Sequence, residues 1–263
     1  MLESRRLLLL LVLAAPAPAV AADPEIVMHE GQRSFRVKTK SATWIFHAEG
    51  AGFASLIDRD GKDWISYRPG NRAAGEFRGI PNLGTVAHPG YEGEKGSRTV
   101  AERKWRGVRL RSTSRDGLWA TTWDFRRDFA RLTVDKAGGP YWVLYEGTPG
   151  GKLDVETGYW GLGDGVRRSM KDTWNADIEG QEWVYFGDER SPRVLFLVNH
   201  QDDRANDQFW QMEESMTVWG FGRQYRCCGR YMEAAPAKFT VGFVESTDFA
   251  KIKKAVERAA RAR

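Results

Sequence analysis

Leu118-Trp119-Ala120-Thr121-Thr122-Trp123-Asp124-Phe125 is the stretch on which the fold turns. Its alternation places Trp119, Thr121, Trp123 and Phe125 on one face, the two-residue period of a half-buried β-strand. Short β-prone runs precede it at residues 34–40, 43–47, 52–58, 64–67, 98–105 and 108–114. Others follow at 129–134, 141–146, 182–186, 193–198, 216–221 and 239–245. Arg106-Gly107 reads as a hairpin turn between two of these runs. Asp58-Arg59-Asp60-Gly61 reads as another, because Asp bonds its own backbone and Gly accepts positive φ. Turn signals recur at roughly the 8–12-residue spacing of a sandwich or barrel. With no helix between strands, βαβ units and a parallel sheet are set aside. The expected fold is all-β: one large antiparallel β-sandwich.

One helix is expected at the end. Ser246 or Thr247 would cap it, and Phe249, Ile252, Val256 and Ala259 share one face at helical spacing. Lys251, Lys253, Lys254, Glu257, Arg258 and Arg261 form the other face, and the apolar stripe is expected to pack on the sheet.

The chain begins with an address. Arg5-Arg6, a short apolar core at 7–15 and the small residues Ala19-Val20-Ala21-Ala22 make the three-part pattern of a secretory signal peptide. Residues 1–22 are therefore read as a leader cleaved near Ala21-Ala22, and 23–263 as a single domain working in the periplasm or outside the cell. The apolar core is too short to span a bilayer, which needs about 20 residues, so no stable membrane insertion is expected. Of 263 residues, 40 are basic and 35 acidic, but export removes nucleic acid as the explanation. Arginine supplies 28 of those basic groups, and its planar fork suits carboxylate or sulfate. Two cysteines, the vicinal Cys227-Cys228, exclude a disulfide scaffold and a four-thiolate zinc site. No phosphate loop, dinucleotide fingerprint or nucleophile elbow is present.

Long irregular stretches at 68–97, 147–180 and 199–215 carry Trp, Tyr, His and Arg, which marks them as site-building loops. In the first, Arg78, Asn82, His88, Tyr91, Glu92 and Glu94 crowd among Gly and Pro, a stiff loop able to aim polar groups. His88 and Tyr91 are candidates for proton transfer. In the third, His200 follows an apolar strand and precedes Asp202, Asp203 and Asp207. No cofactor is expected; calcium near those aspartates is the alternative, although the glycine and closing glutamate of an EF-hand loop are missing. Trp160, Trp174 and Trp210, with Tyr159, are the loop aromatics suited to stack on sugar rings.

Three segments carry a resemblance. The run from Phe35 to Tyr67, with its Thr39-Lys40-Ser41-Ala42-Thr43-Trp44, Ser55-Leu56, Asp58 and Asp60-Gly61, resembles the opening strands of galactose-mutarotase-like β-supersandwich domains. Arg78-Gly79-Ile80-Pro81 resembles the Arg-Gly-Gly-Ile-Pro run of their hexose-phosphate epimerase branch, less one glycine. Asn199-His200 resembles the pair that carries a catalytic imidazole in aldose epimerases. The resemblance implies a supersandwich with a sugar site on its concave face, a fold also used by polysaccharide lyases and glycoside hydrolase domains. Gln201-Asp202-Asp203 departs from the epimerase pattern after the His, and Glu245 follows His200 more closely than the epimerase glutamate does.

The expected function is a secreted carbohydrate-active protein acting on an oligo- or polysaccharide, an acidic one favoured, by proton transfer at a sugar carbon in a lyase- or epimerase-like reaction. His88, Tyr91 and His200 would be acid and base. Arg78, Asn82, Glu92, Arg223 and the three tryptophans would bind substrate. One alternative is a non-catalytic carbohydrate-binding or envelope module, with His88 and His200 far apart. Another is a glycoside hydrolase using paired carboxylates such as Glu146 and Asp164.

Overall fold

A computed structural model describes residues 24–104, 107–224 and 229–262. The leader, Trp105, Arg106 and the Cys227-Cys228 pair lie outside the described residues. β1 (Glu25–His29), β2 (Gln32–Lys38), β3 (Ala42–His47) and β4 (Gly52–Asp58) form an antiparallel meander. β5 (Ser97–Lys104), β6 (Gly107–Ser114), β7 (Ala120–Phe125) and β8 (Phe129–Lys136) open a nine-stranded sheet, and β9 (Val143–Gly147) crosses to another layer. β10 (Gly158–Leu162), β11 (Arg167–Ser169), β13 (Trp183–Asp188), β14 (Val194–Asn199) and β19 (Ala237–Val244) complete the large sheet. Its order is β11-β10-β13-β14-β19-β8-β7-β6-β5, with every neighbour antiparallel. β12 (Trp174–Ala176), β15 (Asp207–Met212) and β16 (Met216–Phe221) join β9 in a second four-stranded sheet, and β17 (Arg223–Gln224) pairs with β18 (Gly229–Arg230).

Both small sheets pack on one face of the large one. Phe53 of β4 meets Trp123 of β7 edge-on at 4.6 Å between centroids, and Tyr145 of β9 meets Phe186 of β13 at 5.1 Å. Trp119, Trp123 and Phe125 all enter this core, as their alternation requires. The Asp58 turn forms, and its carboxylate does more than close a loop. Asp58 Oδ1 accepts the amides of Asp60 and Lys62, while Oδ2 accepts Trp64 Nε1 at 3.0 Å and Arg193 Nη1 at 2.8 Å. Arg193 also pairs with Asp60 and Glu245, tying the meander to the large sheet.

The outer face of the large sheet is covered by α1 (Phe249–Arg261). Ile252, Val256 and Ala259 bury against Tyr159, Tyr185, Phe196 and Val198, and Phe249 stacks on Trp183. The cap is Asp248, one residue past the expected Thr247, because its carboxylate reaches Lys251 N at 2.9 Å. Residues 64–67 do not form the expected strand. Ser66 has a left-handed φ of 57°, which breaks a ladder, although Trp64 N and Tyr67 N still bond Leu56 O and Ala54 O. The stretches at 147–180 and 199–215 hold β10, β11, β12 and β15, so they are less irregular than their sequence suggests.

Candidate functional site

Pairing in the β12-β15-β16-β9 sheet sorts its side chains into two rows. Trp174, Phe209, Trp219 and Tyr145 pair across the four strands, and all four belong to the sandwich core or pack against it. The neighbouring row, Trp210, Val218 and Glu146, points the other way. Beside Glu146 the sheet gains a backbone partner, because Gly79 N bonds Glu146 O at 2.8 Å and Glu146 N bonds Gly79 O at 3.0 Å. Leu144 N adds a bond to Pro81 O at 2.6 Å. This graft lays the Gly/Pro-rich loop along β9 and sets Asn82 opposite Glu146. Asn82 takes a left-handed φ of 40°, a region Asn tolerates, and donates from Nδ2 to Glu146 Oε2 at 2.7 Å. Its Oδ1 accepts Gly84 N at 3.3 Å.

Here the chain encloses a cleft of about 440 Å3, lined by Tyr67, Phe77, Asn82, His88, Tyr91 and Glu146. That volume lies in the usual ligand-site range of about 300–1,000 Å3. Burial pushes the Glu146 carboxyl up to about 7, against the pull of the Asn82 amide and the Arg223 cation. Arg223 lies over Trp142 and Trp210, its guanidinium carbon 4.5 and 4.4 Å from the ring centroids, and Arg230 also lies over Trp142 at 5.3 Å. Burial brings Arg223 down to about 10 while Glu146 opposes the fall, so it is cationic at neutral pH. Burial, aided by the nearby Glu146, raises Tyr91 above the usual phenol value, and its hydroxyl donates to Gly84 O at 3.1 Å. A carboxyl near neutrality beside a fixed cation can both accept and return a proton.

His88 lines the cleft without being free to act as a base. Its Nε2 donates to Phe77 O and its Nδ1 accepts from Gly90 N, both at 3.1 Å. Burial drops it to about 4, so it is neutral. Two further histidines stand behind this wall. His47 Nδ1 bonds Pro89 O at 2.9 Å, and its Nε2 meets His29 Nδ1 at 3.2 Å. Gly79 is needed for the same wall, since a Cβ there would lie 2.6 Å from Pro89 Cδ.

No protein-family model matches the sequence, and no curated protein matches it. Solved structures do. HI1317 is 12% identical with a TM-score of 0.56 over 88% of this chain and 98% of its own. A galactose mutarotase related enzyme from Lactobacillus acidophilus is 10% identical with a TM-score of 0.51 over 82% and 98%. A galactose mutarotase-like protein from Lactobacillus casei is 10% identical with a TM-score of 0.50 over 80% and 100%. The fold is galactose-mutarotase-like.

Within this mutarotase-like sandwich the expected site residues part company. Asn82, His88 and Tyr91 share the cleft, Arg223 acts on its carboxyl, and Trp210 lies under the Arg223 guanidinium. Arg78 is buried but spent on backbone: it donates to Ala73 O, Ser66 O and Ser215 O. Glu92 is exposed and lines the neighbouring depression with Arg33, Glu49 and Arg98. His200 is on the far side of the large sheet, its Nε2 bonded to Thr240 Oγ1 at 2.8 Å near Arg131, which caps the C-terminus of α1. Trp160 is fully buried and Trp174 shares the core-facing row, the two rings meeting edge-on. Asp164 is paired with Arg168 and lines a groove beside α1, so it does not join Glu146. Glu245 is committed to Arg193. Tyr67 and Phe77, not expected as site residues, also line the cleft, and Trp142 and Arg230 stand around Arg223. The one available signal was Glu146 itself, a lone carboxylate at the end of an apolar run.

Asp203 and Asp207 sit with Glu182 and Asn199 at the end of β14, where Asn199 Nδ2 bonds Glu182 Oε2 at 2.5 Å. Asp202 is exposed. Among the described residues, no three His, Cys, Asp or Glu side chains are placed to hold a metal ion.

Proposed function

We propose that the cleft binds one sugar unit of an oligo- or polysaccharide after export, and that Glu146 moves a proton at a sugar carbon in a lyase- or epimerase-like reaction. The observation that carries this is a buried carboxyl held near 7 at the floor of a ligand-sized cleft, with Arg223 beside it. Solved relatives of the fold named as galactose mutarotase-like support a sugar as the ligand. An acidic sugar suits the chemistry. Ionised Glu146 takes the proton from the carbon next to the uronate carboxylate, and the electron pair passes into an enolate whose growing charge faces Arg223. Delivery of a different proton to the opposite face by a second donor inverts the carbon, whereas loss of the neighbouring glycosidic oxygen, protonated as it leaves, completes an elimination. Tyr91 is protonated, and its hydroxyl must leave Gly84 O to serve as the donor. His88 holds the wall and takes no proton.

Alginate, pectate and glycosaminoglycans would be supplied while the absorbance of unsaturated uronates is recorded, with NMR following epimer interconversion of free sugars. Turnover is expected on at least one substrate, and Glu146→Gln should slow it by about 10²–10⁴-fold, the usual worth of a proton-transfer group. Undiminished turnover by that variant, or no turnover across the panel, would sink the reading.

A further inference from the structure

The face of α1 turned away from the sheet is a row of cations. After Ala250, every exposed position of the helix is Lys or Arg: Lys251, Lys253, Lys254, Arg258 and Arg261. Its only acidic residue, Glu257, is half-buried and lies 3.5 Å from Arg261. Arg258 lies 3.6 Å from Asp128, and the three lysines have no ion pair among the described residues. The negative end of the helix dipole is not left to balance them, because Arg131 donates to Ala259 O and Ala262 O.

This arrangement costs stability. Lys251 with Lys254, Lys254 with Arg258, and Arg258 with Arg261 are like charges three or four residues apart, each pair unfavourable by about 0.2–0.5 kcal/mol. Such repulsion is retained where an outside partner offsets it. The apolar stripe is already used against the large sheet, so the helix cannot sink into a bilayer as an amphipathic anchor. The row also lacks the features that grip a single polymer chain. Phe249, the only aromatic residue of α1, stacks inward on Trp183, which leaves no ring for a sugar or base. A band of charges about 15 Å long from Lys251 to Arg261, at 1.5 Å per residue, suits a flat and fluid array of phosphates.

We infer that α1 docks the protein on an anionic phospholipid surface, peripherally and by charge alone. α1 covers the outer face of the nine-stranded sheet, and the Glu146 row lies on the outer face of the opposite layer. Docked this way, the cleft opens away from the lipid.

Co-sedimentation with vesicles of phosphatidylglycerol and phosphatidylcholine, compared with phosphatidylcholine alone, tests the inference on the full mature chain. Binding is expected only with the anionic lipid and should be lost in high salt. K251Q/K254Q/R258Q should weaken it about 100-fold, since each basic residue near such a surface is worth about fivefold. R59Q/R98Q/R204Q removes the same charge from exposed positions elsewhere and should bind vesicles almost as the parent does. Equal losses in both variants would assign binding to net charge and overturn the proposal. So would failure to bind anionic vesicles at low salt. Binding of polygalacturonate through the α1 lysines without vesicle binding would overturn it in favour of a polysaccharide. Sugar turnover does not enter any readout, so this inference and the cleft reading fail separately.

Discussion

Glu146 sits where a carboxyl is expensive to ionise, and Asn82 is the neighbour that keeps the cost moderate. The amide donates to Oε2, which favours the charged form, while burial favours the neutral one. Asn82→Ala removes the donor and should raise the Glu146 titration by about 1–2 pH units, the equivalent of a hydrogen bond to a charged group. Carboxyl-carbon NMR of the unliganded protein would show it, and an unmoved titration would assign the amide no electrostatic role. Arg223 acts in the same direction from its place over two indoles. Trp142→Ala should therefore loosen the cation and weaken an acidic sugar more than a neutral one, by roughly tenfold if about 1.4 kcal/mol of stacking is lost. Calorimetric titration with a uronate and its neutral counterpart reads the difference.

Elements differ in how plainly their residues announce them. β7 was legible because one face is dry and the other half-wet, so its alternation survives into the structure. β10 was not, since all five of its residues are buried and both faces read alike. β11 and β12 are three residues long, and β17 and β18 two, too short for any period to show. The helix was legible in its stripe but not in its first residue, where Ser246, Thr247 and Asp248 compete and only the folded geometry chooses. Asp248→Ala should lower stability by about 1 kcal/mol, visible in a urea midpoint, with no loss of fold because α1 is held by its buried face. Within the site, the loop at 78–91 declared its residues and hid their directions. Arg78 reads as a ligand-binding group and His88 as an acid or base, yet each is occupied by backbone. His200 looked like a partner for His88, yet alternation along β14 sends it to the helix side with Val194, Phe196 and Val198. Direction depends on register, and register becomes visible only once the sheets are paired.

At the scale of the whole molecule, buried titratable groups pull stability both ways. His47, His88 and His200 sit at about 4 when folded and about 6.5 when free, so protons favour the unfolded chain as pH falls through that window. Glu146 at about 7 and Glu182 at about 8 lie above their free value, so stability is lost as pH rises through theirs. The opposing slopes should place the maximum melting temperature near about pH 6, with decline on both sides. A flat profile from pH 5 to 8 would contradict these burial assignments. The cleft belongs to the same whole. Asn82, Glu146, Trp210 and Arg223 come from distant parts of the chain, so the site exists only when β9, β15 and β16 are paired and the loop at 78–91 is laid along β9. Any molecule that fits it must hold those parts together, and occupancy becomes a thermal signal. At a concentration about 100 times its dissociation constant, a ligand adds about 2.7 kcal/mol, or roughly 5–10 °C for a chain of this size. A melting screen over a sugar library can therefore find the ligand without an assay of turnover.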